Sequence, residues 1–426
     1  MTETAADAEV IRDIDDVIGF ARGCLAPRGG DRVGVELEFL VFDRGDPRRH
    51  VPIARVRDAL ADAPPGGSVV TFEPGGQLEL SAPPAALPDA IARLRADVAA
   101  VAAALADAGL VLAGVGLDPV RPPLRQLRLP RYEAMAEFFA AQSGGSAAGP
   151  LMMCSTASVQ VNLDLGGRPE ARWARAHALG PVLTAAFANS PLRLGRPCGW
   201  MSGRQRVWER LDRTRTAPVA GAEPGDPALD WARYLLDARL MLVREDDGRF
   251  RPVRDGSTFR DRLAAPGPPP TAADLAYHAT TVFPPVRPRG WLEIRYLDAQ
   301  RPEYWPVCVA VTHALVVDDQ AGEAAMDAAL DAATAAAADA AGPYPGGWRA
   351  AARGGLADPA LRRAADACFR AALAALPRLG APADLIARVA AFADRHVATG
   401  RSPAADLLES GPARGLLPHD RARGGL

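Results

Sequence analysis

The stretch VGVELEFLVFD, residues 33–43, alternates apolar and acidic residues in the period-2 pattern of a β-strand. Side chains two apart share a face of a strand, so Glu36 and Glu38 lie on one side and Val35, Leu37 and Phe39 on the other. Three more segments repeat the design. In GGQLELS (75–81), Gln77, Glu79 and Ser81 oppose Leu78 and Leu80; in SVQVNLDL (158–165), Gln160, Asn162 and Asp164 oppose Val159, Val161 and Leu163. In WLEIRYLD (291–298), Glu293 and Arg295 oppose Leu292, Ile294 and Tyr296. Four strands of one pattern predict a sheet with an apolar face for the core and an acidic or amide face opposite it.

Strand-like runs at 110–117, 157–165 and 291–297 alternate irregularly with helical spacing at 7–22, 88–105, 170–188 and 229–240. That order lacks regular βαβ repetition and predicts an α+β fold around an antiparallel sheet. APGPPP (265–270) reads as a long surface loop, with a domain linker as the alternative. From about residue 320 the chain turns Ala-rich and helical. The expected organisation is one catalytic domain, 1–426, with its core at about 30–317 and a helical C-terminal region at about 320–426.

Composition narrows the chemistry. Of 426 residues, 49 are basic and 51 acidic, a formal charge of −2, which leaves no basic excess for non-specific nucleic-acid binding. No signal-peptide pattern opens the chain, and no run of about 18 apolar residues predicts a membrane span. The five cysteines (Cys24, Cys154, Cys198, Cys308, Cys368) are scattered without a CxxC pair, as in a cytoplasmic protein with reduced thiols. Every basic Lys/Arg position is arginine. A Walker-A lysine, a kinase strand lysine and a Schiff-base lysine are therefore excluded, and a bound triphosphate would need arginines and metal ions.

A polar sheet face can simply be solvated, as antiparallel sheets often are. Several carboxylates on one face, however, repel each other unless cations hold them. Oxygen donors without clustered histidine or cysteine select Mg²⁺ or Mn²⁺ over zinc, which points to phosphoryl chemistry. None of the six histidines has metal-ligand spacing, and His278 reads as structural. SGRQRVWERLDRTRT (202–216) offers Arg204, Arg206, Arg210, Arg213 and Arg215 around Trp208. Arg204 and Arg213 are the ligand candidates, Arg206 and Arg210 the solvated ones, and Arg287 and Arg289 read equally as loop surface.

FEPGGQLELS, CSTASVQVNLD, FANSP, LDRT and HATTVFPPVRPRGWLEIR, in that order, resemble plant-type glutamate–cysteine ligases and their bacterial relatives. TGRSPAADLLES (399–410) adds a later family segment. Through GPLMMCSTASVQVNLDLG and FPPVRPRGWLEIRYLDAQ, the chain is most similar to actinobacterial ligases that feed γ-glutamylcysteine into ergothioneine synthesis. The resemblance implies a glutamine-synthetase-like fold with a curved antiparallel sheet. It also implies ATP as co-substrate, roughly two or three Mg²⁺ ions, and ligation of L-glutamate to L-cysteine through γ-glutamyl phosphate. By position, Glu36, Glu38, Glu73, Glu79, Gln160 and Glu293 match the metal-binding set. Glu36, Glu79 and Arg295 match catalytic positions, and Gln160, Asn162, Arg204, Arg213 and Arg295 match substrate or ATP contacts. Ser155 stands where plant relatives carry arginine, so plant pocket details do not transfer. A cytoplasmic enzyme, monomer rather than homodimer, is expected. The competing readings are a γ-glutamyl ligase for another amine, a Mg²⁺-dependent phosphohydrolase and a binding protein on the same scaffold.

Overall fold

A computed structural model describes residues 9–60, 64–142, 147–219, 225–245, 249–337 and 345–414. Its centre is a seven-stranded sheet of β1 (Val33–Asp43), β2 (Val69–Phe72), β3 (Leu78–Ala85), β4 (Leu110–Ala113), β5 (Ser158–Leu163), β6 (Val286–Pro288) and β7 (Leu292–Asp298). The order is β6-β7-β5-β1-β3-β2, with β4 on the far half of β1, and every pairing is antiparallel. The α+β expectation holds.

Register turns the period-2 pattern into rows across the sheet. Glu38 of β1 faces Glu79 of β3, and Glu79 faces Thr71 of β2. Glu36 faces Gln160 of β5 on one side and Ser81 on the other. Asn162 of β5 faces Glu293 of β7, which faces Arg287 of β6. The opposite face is apolar. Val35, Leu37, Val159, Val161 and Ile294 enter one core that runs from Ile11 to Val397 and takes in the C-terminal helices.

The helices cover that face for identifiable reasons. Helix α1 (Ile14–Cys24) starts at Asp13, whose side chain accepts from the Asp16 N–H, with two more aspartates in the positive first turn. This corrects the expected start near residue 7: Ile11 N–H instead donates to Pro270 O, and Val10 bridges Thr271. That bridge ties the Pro-rich stretch to the body as a surface loop. Helix α2 (Leu87–Asp107) opens with Pro88 and buries Ile91, Leu94, Val98, Val101 and Leu105 at helical spacing.

The expected helix at 170–188 is two, Pro169–Ala178 and Gly180–Ala186, because Pro181 removes a backbone donor and restarts the ladder. The strand expected to reach 117 stops at Ala113. All 13 residues of the later helix Trp305–Val317 are buried, as its nearly continuous apolar sequence requires. It packs on β5 and on Asp319–Ala337 and Pro359–Ala375.

The acidic face is not left to solvent. A second apolar cluster stands over it, built from Met135, Phe138 and Phe139 of helix α3 (Pro130–Gln142), Met152 and Met153, and Val207 of helix α4 (Gly203–Glu209). Tyr132, Trp208 and Phe283 pack against this cluster and wall a cleft above the carboxylates. No described helix is long and apolar enough to cross a membrane.

Candidate active site

The cleft, open to solvent, takes in about 1030 Å³ of empty space between the polar sheet face and that second cluster. Its floor carries Glu36, Glu38, Glu73, Glu79, Gln160, Glu293 and Arg295, so the sequence-derived set converges on one place. Glu73 arrives by a different route from the rest. It ends the β2–β3 hairpin, whose turn is closed by Glu73 N–H to Gln77 O at 2.9 Å and Gly76 N–H to Glu73 O at 2.8 Å. Gly76 sits at φ +91, where only glycine is unstrained.

Glu38, Glu73 and Glu79 each offer a carboxylate oxygen, and these oxygens lie within 4.8 Å of one another. At that spacing two negative charges repel by roughly 3 kcal/mol at an effective dielectric near 20. Few hydrogen bonds offset this. Glu79 Oε1 accepts from Thr71 and Ser81 hydroxyls at 2.8 and 2.9 Å; Glu38 accepts from Ser158 N–H at 2.8 Å and Gln160 Nε2 at 3.0 Å. Burial, then the charges of Glu38 and Glu79, pushes Glu73 up to about 8. Burial, then Glu293 and Glu79, pushes Glu36 up to about 7, against an opposing hydrogen bond from Asn162 at 2.9 Å.

Glu293 is in the opposite condition. Arg287 grips it with Nε and Nη2 at 2.6 and 2.9 Å, and Arg295 Nη1 adds a bond at 2.6 Å. Burial alone would raise this carboxyl, but the two guanidiniums hold it at about 2. Arg295 also donates to Gln160 Oε1 at 2.5 Å, and Arg204 Nη2 donates to the Arg295 carbonyl at 2.7 Å. Thus Glu293 and Gln160 serve Arg295, whereas Glu38 and Glu79 are bonded by hydroxyls, a backbone N–H and an amide.

Arg204 does reach the cleft, on a helix that Ser202 caps and buried Asp298 anchors through the Ser202 and Ser190 hydroxyls at 2.9 and 2.7 Å. Gly116 allows this, since a Cβ there would overlap the Asp298 carboxyl group. Asn162 donates its amide to Glu36, and Asp164 forms an ion pair with Arg32 at 3.0 Å.

Two arginine assignments need correction. Arg213 is exposed on the short helix Arg213–Thr216 and does not line the cleft. Its neighbour Arg215 is the buried one, bonded to Asp212, Thr281 O and Arg239 O. Arg287 is not loop surface but a buried member of β6, while Arg289 is exposed at the cleft rim over the Trp291 ring. His278 is structural, a neutral imidazole held near 3 by burial and Arg215, with Nε2 3.0 Å from Leu235 O.

The sequence reading missed Arg131, Tyr132 and Thr280. Arg131 donates to the Thr280 hydroxyl and carbonyl, both at 2.8 Å, and clasps α3 to the segment before β6. Tyr132 is pushed up to about 12 by burial and Glu73, so its hydroxyl stays protonated. LPRYEAM carries no periodic signal beyond its helix; only docking reveals which of its residues face the cleft.

A half-buried acidic sheet face, matched with guanidiniums under a deep cleft, is the architecture of an enzyme. The family model described as Glutamate-cysteine ligase family 2 (GCS2) matches residues 32–423. The glutamate–cysteine ligase EgtA of Mycobacterium tuberculosis is 42% identical over 428 residues, covering 98% of this chain and 92% of that protein. EgtA of Mycolicibacterium smegmatis is 45% identical over 396 residues, 90% of this chain and 88% of its own. The chloroplastic glutamate–cysteine ligase of Medicago truncatula is 31% identical over 330 residues, 70% of this chain and 63% of its own. A glutamate–cysteine ligase of Francisella tularensis, solved in complex with AMP, overlaps at TM-score 0.47 and 12% identity, over 89% of this chain and 84% of that one. The chain belongs to glutamate–cysteine ligase family 2, and it is an ATP-dependent ligase.

Proposed function

We propose that the protein joins the γ-carboxylate of L-glutamate to the amine of L-cysteine, with ATP cleaved to ADP and phosphate, to give γ-glutamylcysteine for ergothioneine synthesis. The observation that carries this reading is the match, over nearly the whole chain, to relatives named for the same ligation. The cleft chemistry supports it. A glutamate carboxylate oxygen attacks the γ-phosphorus of ATP and ADP departs; the cysteine amine then attacks the acyl carbon and phosphate departs. No protein nucleophile is required, which agrees with five cysteines that carry no pattern.

The donor set fits a divalent cation of the Mg²⁺ kind. Glu38, Glu73 and Glu79 offer only oxygen and lie close together. These three would hold it, with Glu36 alongside. When bound, Mg²⁺ supplies positive charge against the phosphate oxygens. Arg295, on the same sheet floor, and Arg204 beside it present fixed positive charge to the cleft, and Glu293 holds Arg295 in place.

The test is purified protein with ATP, Mg²⁺, glutamate and single amino acids, followed for phosphate and γ-glutamyl product. Product is expected with cysteine, and hydroxylamine in place of cysteine should give γ-glutamyl hydroxamate. Phosphate release without glutamate would instead mark a hydrolase, and product only with another amine would mark a different ligase.

A further inference from the structure

We infer that Gln126 is a positioning residue for Glu73, a clamp that holds the Pro74-Gly75-Gly76 turn against carboxylate repulsion. The inference rests on the reading of Glu38, Glu73 and Glu79 as a cation site. Gln126 belongs to neither the hairpin nor the sheet; it lies in the extended segment between β4 and α3. Its side-chain amide is fully used on backbone. Nε2 donates to Gly75 O at 2.9 Å and to Val51 O at 3.1 Å, and Oε1 accepts from Ile53 N–H at 3.0 Å. The Gln126 and Leu127 N–H groups both donate to Pro74 O, at 2.7 and 3.1 Å.

The turn is enclosed on both sides. A Cβ on Gly76 would overlap the Gln126 amide nitrogen, and a Cβ on Gly75 would overlap the Cys154 carbonyl. The hairpin's own hydrogen bonds fix its shape; Gln126 on one side, and on the other the Cys154 backbone with the Gln77 amide, which donates to Thr156 O at 2.8 Å, fix where it stands. Once Glu73 is ionised without a cation, repulsion from Glu38 and Glu79 pushes it outward, and a hairpin tip is the part of a sheet most free to yield. Gln126 opposes that displacement by tying the tip to the Val51–Ile53 backbone. The same segment runs on to Arg125, which bonds Tyr132 O at 3.1 Å and Glu133 at 2.7 Å. The turn and the Tyr132 wall are thus held by one strap.

The test is Mn²⁺ binding to the full chain, read from loss of the free-ion EPR signal without ATP or amino acids. Gln126→Met keeps side-chain volume and removes the amide's three bonds while leaving the backbone bonds to Pro74 O; a tenfold loss of affinity is expected, about 1.4 kcal/mol. In a Glu73→Gln background the same change should cost less than about twofold, because Gln126 acts through Glu73. Gln126→Asn, one methylene too short to bridge, is the second variant should Gln126→Met not fold, and the same coupling is expected. No loss, or an equal loss in both backgrounds, overturns the positioning role and leaves the carboxylate trio standing. Equal Mn²⁺ binding by wild type and Glu73→Gln overturns the trio and the clamp together.

Discussion

At the scale of single residues, the cleft sorts its carboxylates by what neutralises them. Glu293 is bound by two arginines, whereas Glu79 has two hydroxyls on one oxygen and Glu38 opposite. Glu79→Gln keeps the shape and removes the charge. Turnover is expected to fall by about 10²–10³-fold, as for other lost electrostatic contacts in sites of this kind. Melting temperature without Mg²⁺ should hold or rise, since a repulsive pair is gone. Near-normal kcat/KM in this variant would contradict the metal role of the trio. Side-chain parity on β1, β3, β5 and β7 was enough to place Glu36, Glu38, Glu79, Gln160 and Glu293 together. It could not orient Glu73, because a turn resets direction.

At the scale of elements, alternation exposed the strands, but docking decided which arginines matter. In Asp-Arg-Thr-Arg, the sequence favours Arg213. Asp212 caps the short helix, and the turn that follows sends Arg215, not Arg213, under the Phe138 ring. Arg215 joins three segments: its own helix, the Arg239 backbone and Thr281 just before β6. Arg215→Met would strand the Asp212 carboxylate, whose side chain is only 4% exposed. A destabilisation of about 3–5 kcal/mol is expected. Urea unfolding measures it, and a loss under about 1 kcal/mol would show the pair to be dispensable. Arg287 was hidden for a related reason. Proline on both sides made PVRPRG read as loop, yet β6 is an edge strand, where proline is tolerated.

At the scale of the molecule, the carboxyls at about 7 and about 8 make folding pH-dependent. A carboxyl raised above its unfolded value of 4.5 binds its proton more tightly when folded. Its contribution to stability is complete below that unfolded value and is lost as pH rises through the folded one. Glu293, held low, and Asp406, held well below the usual range by His396 and Arg395 against burial, act in the opposite sense at acid pH. The metal-free protein should therefore lose several degrees of melting temperature between about pH 5 and about pH 8.5, and Mg²⁺ should restore them at the upper end. A flat profile, or no response to Mg²⁺, would contradict the assignment.

The helix Trp305–Val317 has a consequence for how the chain opens. Its 13 buried residues touch the sheet on one side and the C-terminal helices on the other. Its amides can meet deuterium only when both partners have let go, so its exchange reports global unfolding. Sheet and C-terminal helices are therefore expected to melt as one cooperative unit, so that the cleft survives only as long as the Ala-rich last quarter of the chain does.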